Sequence, residues 1–195
     1  MTAVPKTAEW ITPAEYLEGE RKSEVRHEYV DGYVYAMAGA SDDHNRITRN
    51  ILSYLHNALR GKRCEPFAID MKVKIPPSFM NVYYYPDVLV ACDPNDNAQY
   101  FRERPTIIFE VISPETERTD RREKALAYHH IDTLKVYALV EQERMAITVF
   151  RQAEAGWHKE MIEGPNAVLT LPEIQVEIPL ERIYERTAIA GRSPA

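Results

Sequence analysis

The sequence predicts a single mixed α/β or α+β domain with a central mixed sheet flanked by helices, and three observations indicate this class. Apolar residues recur at helical spacing after Ser41, which is typical of an amphipathic helix. The segments 83–91 and 106–113 are nearly continuous apolar runs, which is typical of interior strands. Helices and strands alternate along the chain in the order helix, strands, helix, strands, and such an order favours helices packed on a mixed sheet.

Each element is predicted by a local signal. Thr12, Pro13 and Glu15 form a helix start with Thr12 as the cap, and Asp31-Gly32 is typical of a hairpin turn. In chain order the predicted elements are a helix from Pro13 to about Glu18, a hairpin over 27–39, a helix from Ser41 to about Arg60, strands at 67–75, 83–91 and 106–113, a helix capped by Asp120 and ending near His130, a hairpin of 134–140 and 145–151, and short strands beyond it.

Length and composition limit the function classes. The 195 residues fit one domain, expected over 1–195 with short flexible termini at about 1–9 and 187–195. The net charge of -6 disfavours a protein that coats nucleic acid through its global charge. No apolar run approaches the roughly 18 to 20 residues of a membrane span, and the N-terminus lacks the apolar region of a secretion signal.

The two cysteines lack metal-ligand spacing. Cys64 and Cys92 are therefore interpreted as reduced structural residues of a cytoplasmic protein.

Two acidic residues interrupt the apolar strands. Glu110 lies within the run IIFEVI, and Asp87 follows Pro86 in the preceding strand. If the two strands pair with these faces aligned, both carboxylates lie a few ångströms apart at low dielectric and repel each other. A divalent cation between them removes the repulsion, and Mg²⁺ prefers such oxygen ligands. The alternative, that Glu110 is a buried ion-pair or hydrogen-bond partner, stays open at this point.

Several short motifs together resemble the Uma2 family. These motifs are Pro86-Asp87, the run EVISP from Glu110, the residues Asp120, Lys124 and Tyr128 with the following LKVYALV, and the upstream stretch HEYVDGYVYAMAGASDDHNRITRNILSYL. The resemblance covers about residues 10 to 185. It implies the restriction-endonuclease-like fold of the PD-(D/E)XK nuclease superfamily.

The resemblance also implies an activity and a set of site residues. It implies a Mg²⁺- or Mn²⁺-dependent nuclease that hydrolyses phosphodiester bonds, with DNA as the expected substrate and Asp87 and Glu110 as metal ligands. Glu28 is the candidate for a further carboxylate by its position. His44 lies where the family has a histidine, and a site role and a structural role are both open for it. Since restriction-type nucleases often act as dimers, a homodimer through segment 145–180 is expected.

One position departs from the superfamily pattern. The lysine expected two residues after the glutamate is replaced by Ile112. Lys124 is the candidate substitute because it lies one turn into the helix that follows the Glu110 strand. An exposed pairing with Asp120 is its alternative, and Lys72 and Lys74 are weaker candidates for the cation.

The arginines near the expected pocket have two interpretations. One interpretation is that they contact phosphates of a nucleic acid; the arginines concerned are Arg102, Arg104, Arg118, Arg121 and Arg122. The other is that they belong to an ordinary solvated surface, because acidic residues alternate with them in the sequence. A catalytically inactive binding or assembly module with the same fold is the alternative function. Convergence of Asp87, Glu110 and Lys124 within a few ångströms is the observation that favours the enzyme.

Overall fold

Two large β-sheets form the framework of the chain. The computed structural model describes residues 9–37, 39–113 and 119–190, and of residues 119–121 it describes the backbone only. The α-helices are α1 (Pro13–Lys22), α2 (Asp42–Leu59), α3 (Ala125–Tyr128) and α4 (Leu180–Ile183), and a π-helix (Thr119–Lys124) precedes α3. The strands are β1 (His27–Val30), β2 (Tyr33–Ala36), β3 (Glu65–Ala68), β4 (Lys72–Lys74), β5 (Val82–Tyr84), β6 (Val88–Ala91), β7 (Phe101–Arg102), β8 (Pro105–Ile112), β9 (Val136–Glu141), β10 (Ala146–Ala153), β11 (Gly156–Glu163), β12 (Val168–Leu171) and β13 (Val176–Pro179).

Both large sheets are mixed, as the sequence predicts. One has six strands in the order β11-β10-β9-β8-β6-β3, and the other has five in the order β2-β1-β5-β4-β7. The pairs β8–β9 and β4–β7 are parallel, and the other pairs in these two sheets are antiparallel. A small antiparallel pair, β12–β13, adds to the C-terminal part.

The six-stranded sheet is buried on both faces, which explains why β6 and β8 are continuous apolar runs. On one face α2 contributes the fully buried side chains Ile47, Ile51 and Leu55. Each such side chain contributes about 1.5–3 kcal/mol on burial. On the other face lie α3 and side chains of the five-stranded sheet. A residue of β8 that points to this second face therefore lies between the six-stranded sheet, α3 and the five-stranded sheet.

The predicted start and turn signals of the N-terminal half are confirmed. Thr12 and Glu15 form the complete capping box of α1, which ends later than predicted, at Lys22. Asp31 and Gly32 form the hairpin turn between β1 and β2 with positive φ angles of 46° and 99°. Glycine tolerates such an angle because it has no Cβ. The side chain of Ser41 accepts a hydrogen bond from the His44 N–H and caps α2.

Two segments that were each predicted as one continuous strand are each divided into two strands, so both predictions are wrong. Segment 67–75 divides into β3 and β4, and segment 83–91 divides into β5 and β6, with each half in a different sheet. The first break lies at Ile69, which has a positive φ of 64°. The second lies at Pro86, which has no N–H to give to a sheet. The chain therefore crosses from one sheet to the other at both breaks.

The helix predicted from Asp120 to His130 is also different. A π-helix over Thr119–Lys124 leads into α3, which ends at Tyr128. The side chain of Asp120, predicted as its cap, lies outside the described part. π-Helical turns occur often at functional sites.

The cysteines form a disulfide, so the expectation of two reduced thiols is wrong. β3 and β6 pair with Glu65 opposite Ala91. The same register brings Cys64 and Cys92 together, with Cα atoms 4.1 Å apart. The sequence separation of 28 residues carries no signal of this register.

The C-terminal part remains packed as far as the described residues extend. Thr187 and Ile189 are buried, and Ile189 belongs to the core beneath α2. Among the helices of residues 9–37, 39–113 and 119–190, none is long and apolar enough to cross a lipid bilayer.

Candidate active site

Asp87, which directly precedes β6, lies opposite Glu110 of β8. In the antiparallel pair β6–β8, Val88 faces Phe109, so the next step of the register places Asp87 opposite Glu110. The N–H of Val111 donates a hydrogen bond of 2.7 Å to Asp87 Oδ2, which holds this carboxylate against β8. The expected pairing of the two strands, with these acids aligned, is confirmed.

Glu110 is almost fully buried, and two donors from the following helical segment approach it. Its residue exposure is 3%. Lys124 Nζ lies 3.2 Å from Glu110 Oε1, and the hydroxyl of Tyr128 donates to the same oxygen at 2.9 Å. Burial raises the pKa of Tyr128 well above its ordinary value, so the hydroxyl keeps its proton and remains a donor.

Lys124 joins two carboxylates from different sheets. Its ammonium lies 3.0 Å from Glu28 Oε1 and 3.2 Å from Glu110 Oε1. Glu28 comes from β1 of the five-stranded sheet, and the N–H of Tyr85 donates to its Oε1 at 3.3 Å. The Lys124 side chain is only 8% exposed, so these ion pairs lie at low dielectric, where charge interactions are strong. Lys124 is therefore a buried partner of two acids rather than an exposed partner of one.

His44, from α2, contacts Asp87. Its Nε2 lies 3.3 Å from Asp87 Oδ1, and both side chains are mostly buried, at 15% and 20% exposure. The position follows from α2, because Ser41 caps the helix and places His44 in its first turn. His44 therefore contacts one of the predicted site acids, and its role in the site stays a prediction.

The other lysines considered from the sequence have different partners. Lys72 Nζ donates to the hydroxyl of Tyr85 at 3.1 Å, and Lys74 forms an ion pair with Glu103 at 2.6 Å. Lys124 is thus the candidate whose ammonium contacts Glu110.

The arginines predicted to contact phosphate have different surroundings in the structure. Arg104 pairs with Asp93 at 2.9 Å, and Arg102 lies over the ring of Phe67. Arg122 is exposed. Arg118 lies outside the described residues, as does the side chain of Arg121.

Tyr128 and Tyr85 donate hydrogen bonds within the site, and the sequence did not predict these contacts. Tyr128 lies four residues after Lys124, so the two share a helix face, and this spacing is a signal that could have indicated a common partner. Tyr85 contributes its backbone N–H to Glu28, and its hydroxyl donates to the buried Glu20 at 3.0 Å. No sequence pattern indicates the Tyr85 contacts, since they depend on how β1 and β5 pair.

The donor chemistry of the site suits a hard divalent cation. Asp87, Glu110 and Glu28 offer carboxylate oxygens, the ligands that Mg²⁺ and Mn²⁺ prefer. Within the described part of the chain, no three His, Cys, Asp or Glu side chains are grouped so that they could hold a metal ion. An ion here would take one or two side-chain ligands and complete its shell with water or phosphate, which is how Mg²⁺ binds in phosphate-handling sites.

The fold is that of a nuclease-like protein. The structure superposes on the crystal structure of a protein from Anabaena variabilis ATCC 29413 named as a putative nuclease belonging to DUF820, with a TM-score of 0.71. The match covers 89% of this chain and 97% of that chain at 17% sequence identity. At this identity the similarity concerns the fold.

The chain belongs to the Uma2 family. The family model described as "Uma2: Putative restriction endonuclease" matches residues 13–181. Two relatives from Synechocystis sp. are similar over most of their length. The uncharacterized protein slr1290 is 36% identical over 179 residues (91% of this chain, 93% of the relative). The uncharacterized protein sll1609 is 31% identical over 168 residues (84% of this chain, 94% of the relative).

Proposed function

We propose that the protein is a divalent-metal-dependent nuclease that hydrolyses phosphodiester bonds in DNA, with Asp87, Glu110 and Lys124 as its catalytic residues. The observation that carries the proposal is the position of Lys124, whose ammonium lies 3.2 Å from the buried Glu110 carboxylate on the strand beside Asp87. Membership of a family described as putative restriction endonucleases supports the same reaction class.

In this proposal Asp87 and Glu110 hold the metal ion. When bound, Mg²⁺ or Mn²⁺ supplies polarisation of the scissile phosphate and a more acidic water. Asp87 directly precedes β6 and Glu110 lies in β8, so the register of these two strands fixes the separation of the two carboxylates. The Val111 N–H and the Tyr128 hydroxyl each fix one of the acids.

Lys124 acts on the charge that develops during the reaction. Its ammonium donates to phosphate or water oxygens beside Glu110, where few waters compete for it. Glu28 holds this ammonium from the second side at 3.0 Å and thereby limits its orientations. His44 Nε2 contacts Asp87 Oδ1 and holds this carboxylate from the first turn of α2.

The proposal is tested by cleavage of a panel of labelled nucleic acids with and without Mg²⁺ or Mn²⁺. Wild-type protein should cut DNA only with the metal, and Asp87→Ala should not cut it. Asp93→Ala is the matched control, because Asp93 is an aspartate with an arginine partner away from the site. If wild-type protein cuts no nucleic acid with either metal, or if Asp87→Ala cuts as fast as wild type, the proposal is wrong.

A non-catalytic binding module is the competing function, and one observation favours it. Lys124 already supplies a positive charge between Glu28 and Glu110, so these acids do not need a metal ion to be stable. Binding of nucleic acid by a wild-type protein that never cleaves it, with the panel and metals above, would favour this module.

We also propose a homodimer through the C-terminal strands. β11 lies at the edge of the six-stranded sheet, and Met161 and Val168 are 48% and 40% exposed. A strand at a sheet edge and exposed apolar side chains within the same part of the chain are features suited to contact with a second copy. Light scattering that gives a 22.5 kDa species at every micromolar concentration would exclude the dimer.

A further inference from the structure

The hairpin strand next to Glu28 carries two tyrosines on the side that faces the site. In the antiparallel pair β1–β2, Tyr35 lies opposite Glu28 and Tyr33 lies opposite Val30. Opposed residues of such a pair point to the same face of the sheet. Since Glu28 reaches Lys124 on this face, Tyr33 and Tyr35 form a row that starts beside the candidate active site. We call these two residues the tyrosine row.

The tyrosine row is open, unlike most tyrosines of the protein. Tyr33 is 42% exposed and Tyr35 is partly exposed. Within the described residues, neither ring stacks on another aromatic ring, and neither hydroxyl makes a hydrogen bond. By contrast, on the opposite face of the same sheet Tyr16 stacks on Tyr29, and Tyr83 contacts both rings in tilted and edge-on arrangements. Among the described residues, the row therefore offers two rings that take part in no aromatic pair and no hydrogen bond.

We propose that the tyrosine row binds unpaired bases, so that the substrate is single-stranded nucleic acid or a duplex with a single-stranded part. This inference rests on the proposed nuclease function and names its substrate class. Aromatic side chains on a strand bind single strands because every base has a face that stacks on a ring. A base on Tyr35 would lie opposite Glu28, one strand away from the ammonium of Lys124.

Charge and geometry favour a single strand over an intact duplex. In a duplex the base faces are already stacked on each other, so exposed tyrosine rings cannot reach them. Duplex binding depends mainly on neutralising phosphates, and the protein has a net charge of -6. Stacking supplies affinity without positive charge. β2 is the edge strand of the five-stranded sheet, so no further strand of the described residues pairs with it.

The test is direct binding, measured separately from cleavage. Fluorescence anisotropy with a labelled oligothymidine and with a duplex of the same length is recorded in EDTA for wild type, Tyr33→Ala, Tyr35→Ala and the double variant. Tyr100→Ala is the matched control, because Tyr100 is 41% exposed and precedes β7 at the opposite edge of the same sheet. Tyr33→Phe keeps the ring and removes only the hydroxyl.

The expected result is specific to the row. Tyr33→Ala and Tyr35→Ala should each bind the oligothymidine about tenfold more weakly than wild type, while Tyr33→Phe and Tyr100→Ala bind it as wild type does. Equal binding of the oligothymidine by wild type and the double variant would overturn the inference. A double variant that binds as wild type but changes from dimer to monomer in light scattering would assign the row to self-association instead.

Failure of this inference and failure of the proposed function are distinguishable. If wild type cleaves DNA with metal and the row variants bind single strands as wild type does, the proposed nuclease function is correct and the assignment of the tyrosine row to base binding is wrong. If wild type cleaves no nucleic acid but the row variants lose single-strand binding, the tyrosine row binds bases and the protein is a non-catalytic binding module.

Discussion

The ammonium of Lys124 lies 3.2 Å from Glu110 Oε1, although the two residues are 14 positions apart and belong to different elements. This contact satisfies the charge that Glu110 carries into an otherwise apolar strand. In the superfamily pattern that the sequence resembles, a lysine stands two residues after the glutamate, and in this chain that position is Ile112, which is buried in the core. In the proposed function, Lys124 from the helical segment supplies the cation instead.

Lys124→Ala should lose about 10²- to 10³-fold in the rate of DNA cleavage, because the lost ammonium acts on charge that develops in the transition state. The variant also leaves Glu28 and Glu110 without their shared cation, so its unfolding free energy should fall by about 3 kcal/mol in EDTA. Single-turnover cleavage and urea denaturation measure the two effects. Lys74→Ala, which removes an ion pair away from Glu110, is the control for both.

Lys124→Arg should not restore full cleavage. The guanidinium is a planar fork, whereas the site holds a point charge between Glu28 and Glu110. If Lys124→Ala cleaves at the wild-type rate, the catalytic role of this lysine is wrong.

Glu110→Ala should weaken the binding of Mn²⁺ in calorimetry, because it removes one of two expected ligands. Glu103→Ala, at an exposed carboxylate paired with Lys74, should bind the ion as wild type does. Equal affinities of wild type and Glu110→Ala for Mn²⁺ would remove Glu110 from the metal site.

The stability of the protein should fall in mild acid because of His129. Burial lowers the pKa of His129 below 6.5, and its ring stacks on Trp157 with Nε2 buried and without a hydrogen-bond partner in the described residues. Between the lowered pKa and 6.5 the unfolded chain binds more protons, so stability is lost as the pH falls through this window.

His129→Phe keeps the stacked ring and removes the titration. Urea denaturation from about pH 7 to about pH 5 should show a smaller loss of stability in this variant than in wild type. His56→Gln, at an exposed histidine of α2, serves as the control. The same pH dependence in wild type and His129→Phe would contradict this assignment.

The Cys64–Cys92 disulfide should stabilise the fold by roughly 2–4 kcal/mol through the loop that it closes. Urea denaturation of the wild type with and without dithiothreitol measures this contribution. Cys64→Ser/Cys92→Ser should have the stability of the reduced protein and no response to the reductant. Two free thiols in the untreated protein would show that the disulfide does not form.

The parts of the fold that local signals specify were predictable. The capping box at Thr12, the turn at Asp31-Gly32 and the helix cap at Ser41 depend on neighbouring residues only, and all three are confirmed. The alignment of Asp87 with Glu110 was also predictable, because alternation fixes the face of each acid once the two strands pair.

The parts that depend on long-range register were not predictable. The division of 83–91 between two sheets depends on where the five-stranded sheet packs, and the pairing of Cys64 with Cys92 depends on the register of β3 with β6. Contact of His44 with Asp87 depends on how α2 lies on its sheet. The catalytic roles of Asp87, Glu110 and Lys124 stay predictions until they are measured.

The most direct test of the nuclease proposal is the initial rate of DNA cleavage as a function of Mg²⁺ concentration for wild type and Glu110→Gln. The proposal predicts a rate that rises and saturates with Mg²⁺ in wild type, and no cleavage by Glu110→Gln at any concentration, because the amide keeps the shape of the side chain but not the charge. Cleavage by Glu110→Gln at the wild-type rate, or cleavage by wild type that does not depend on Mg²⁺, would contradict it.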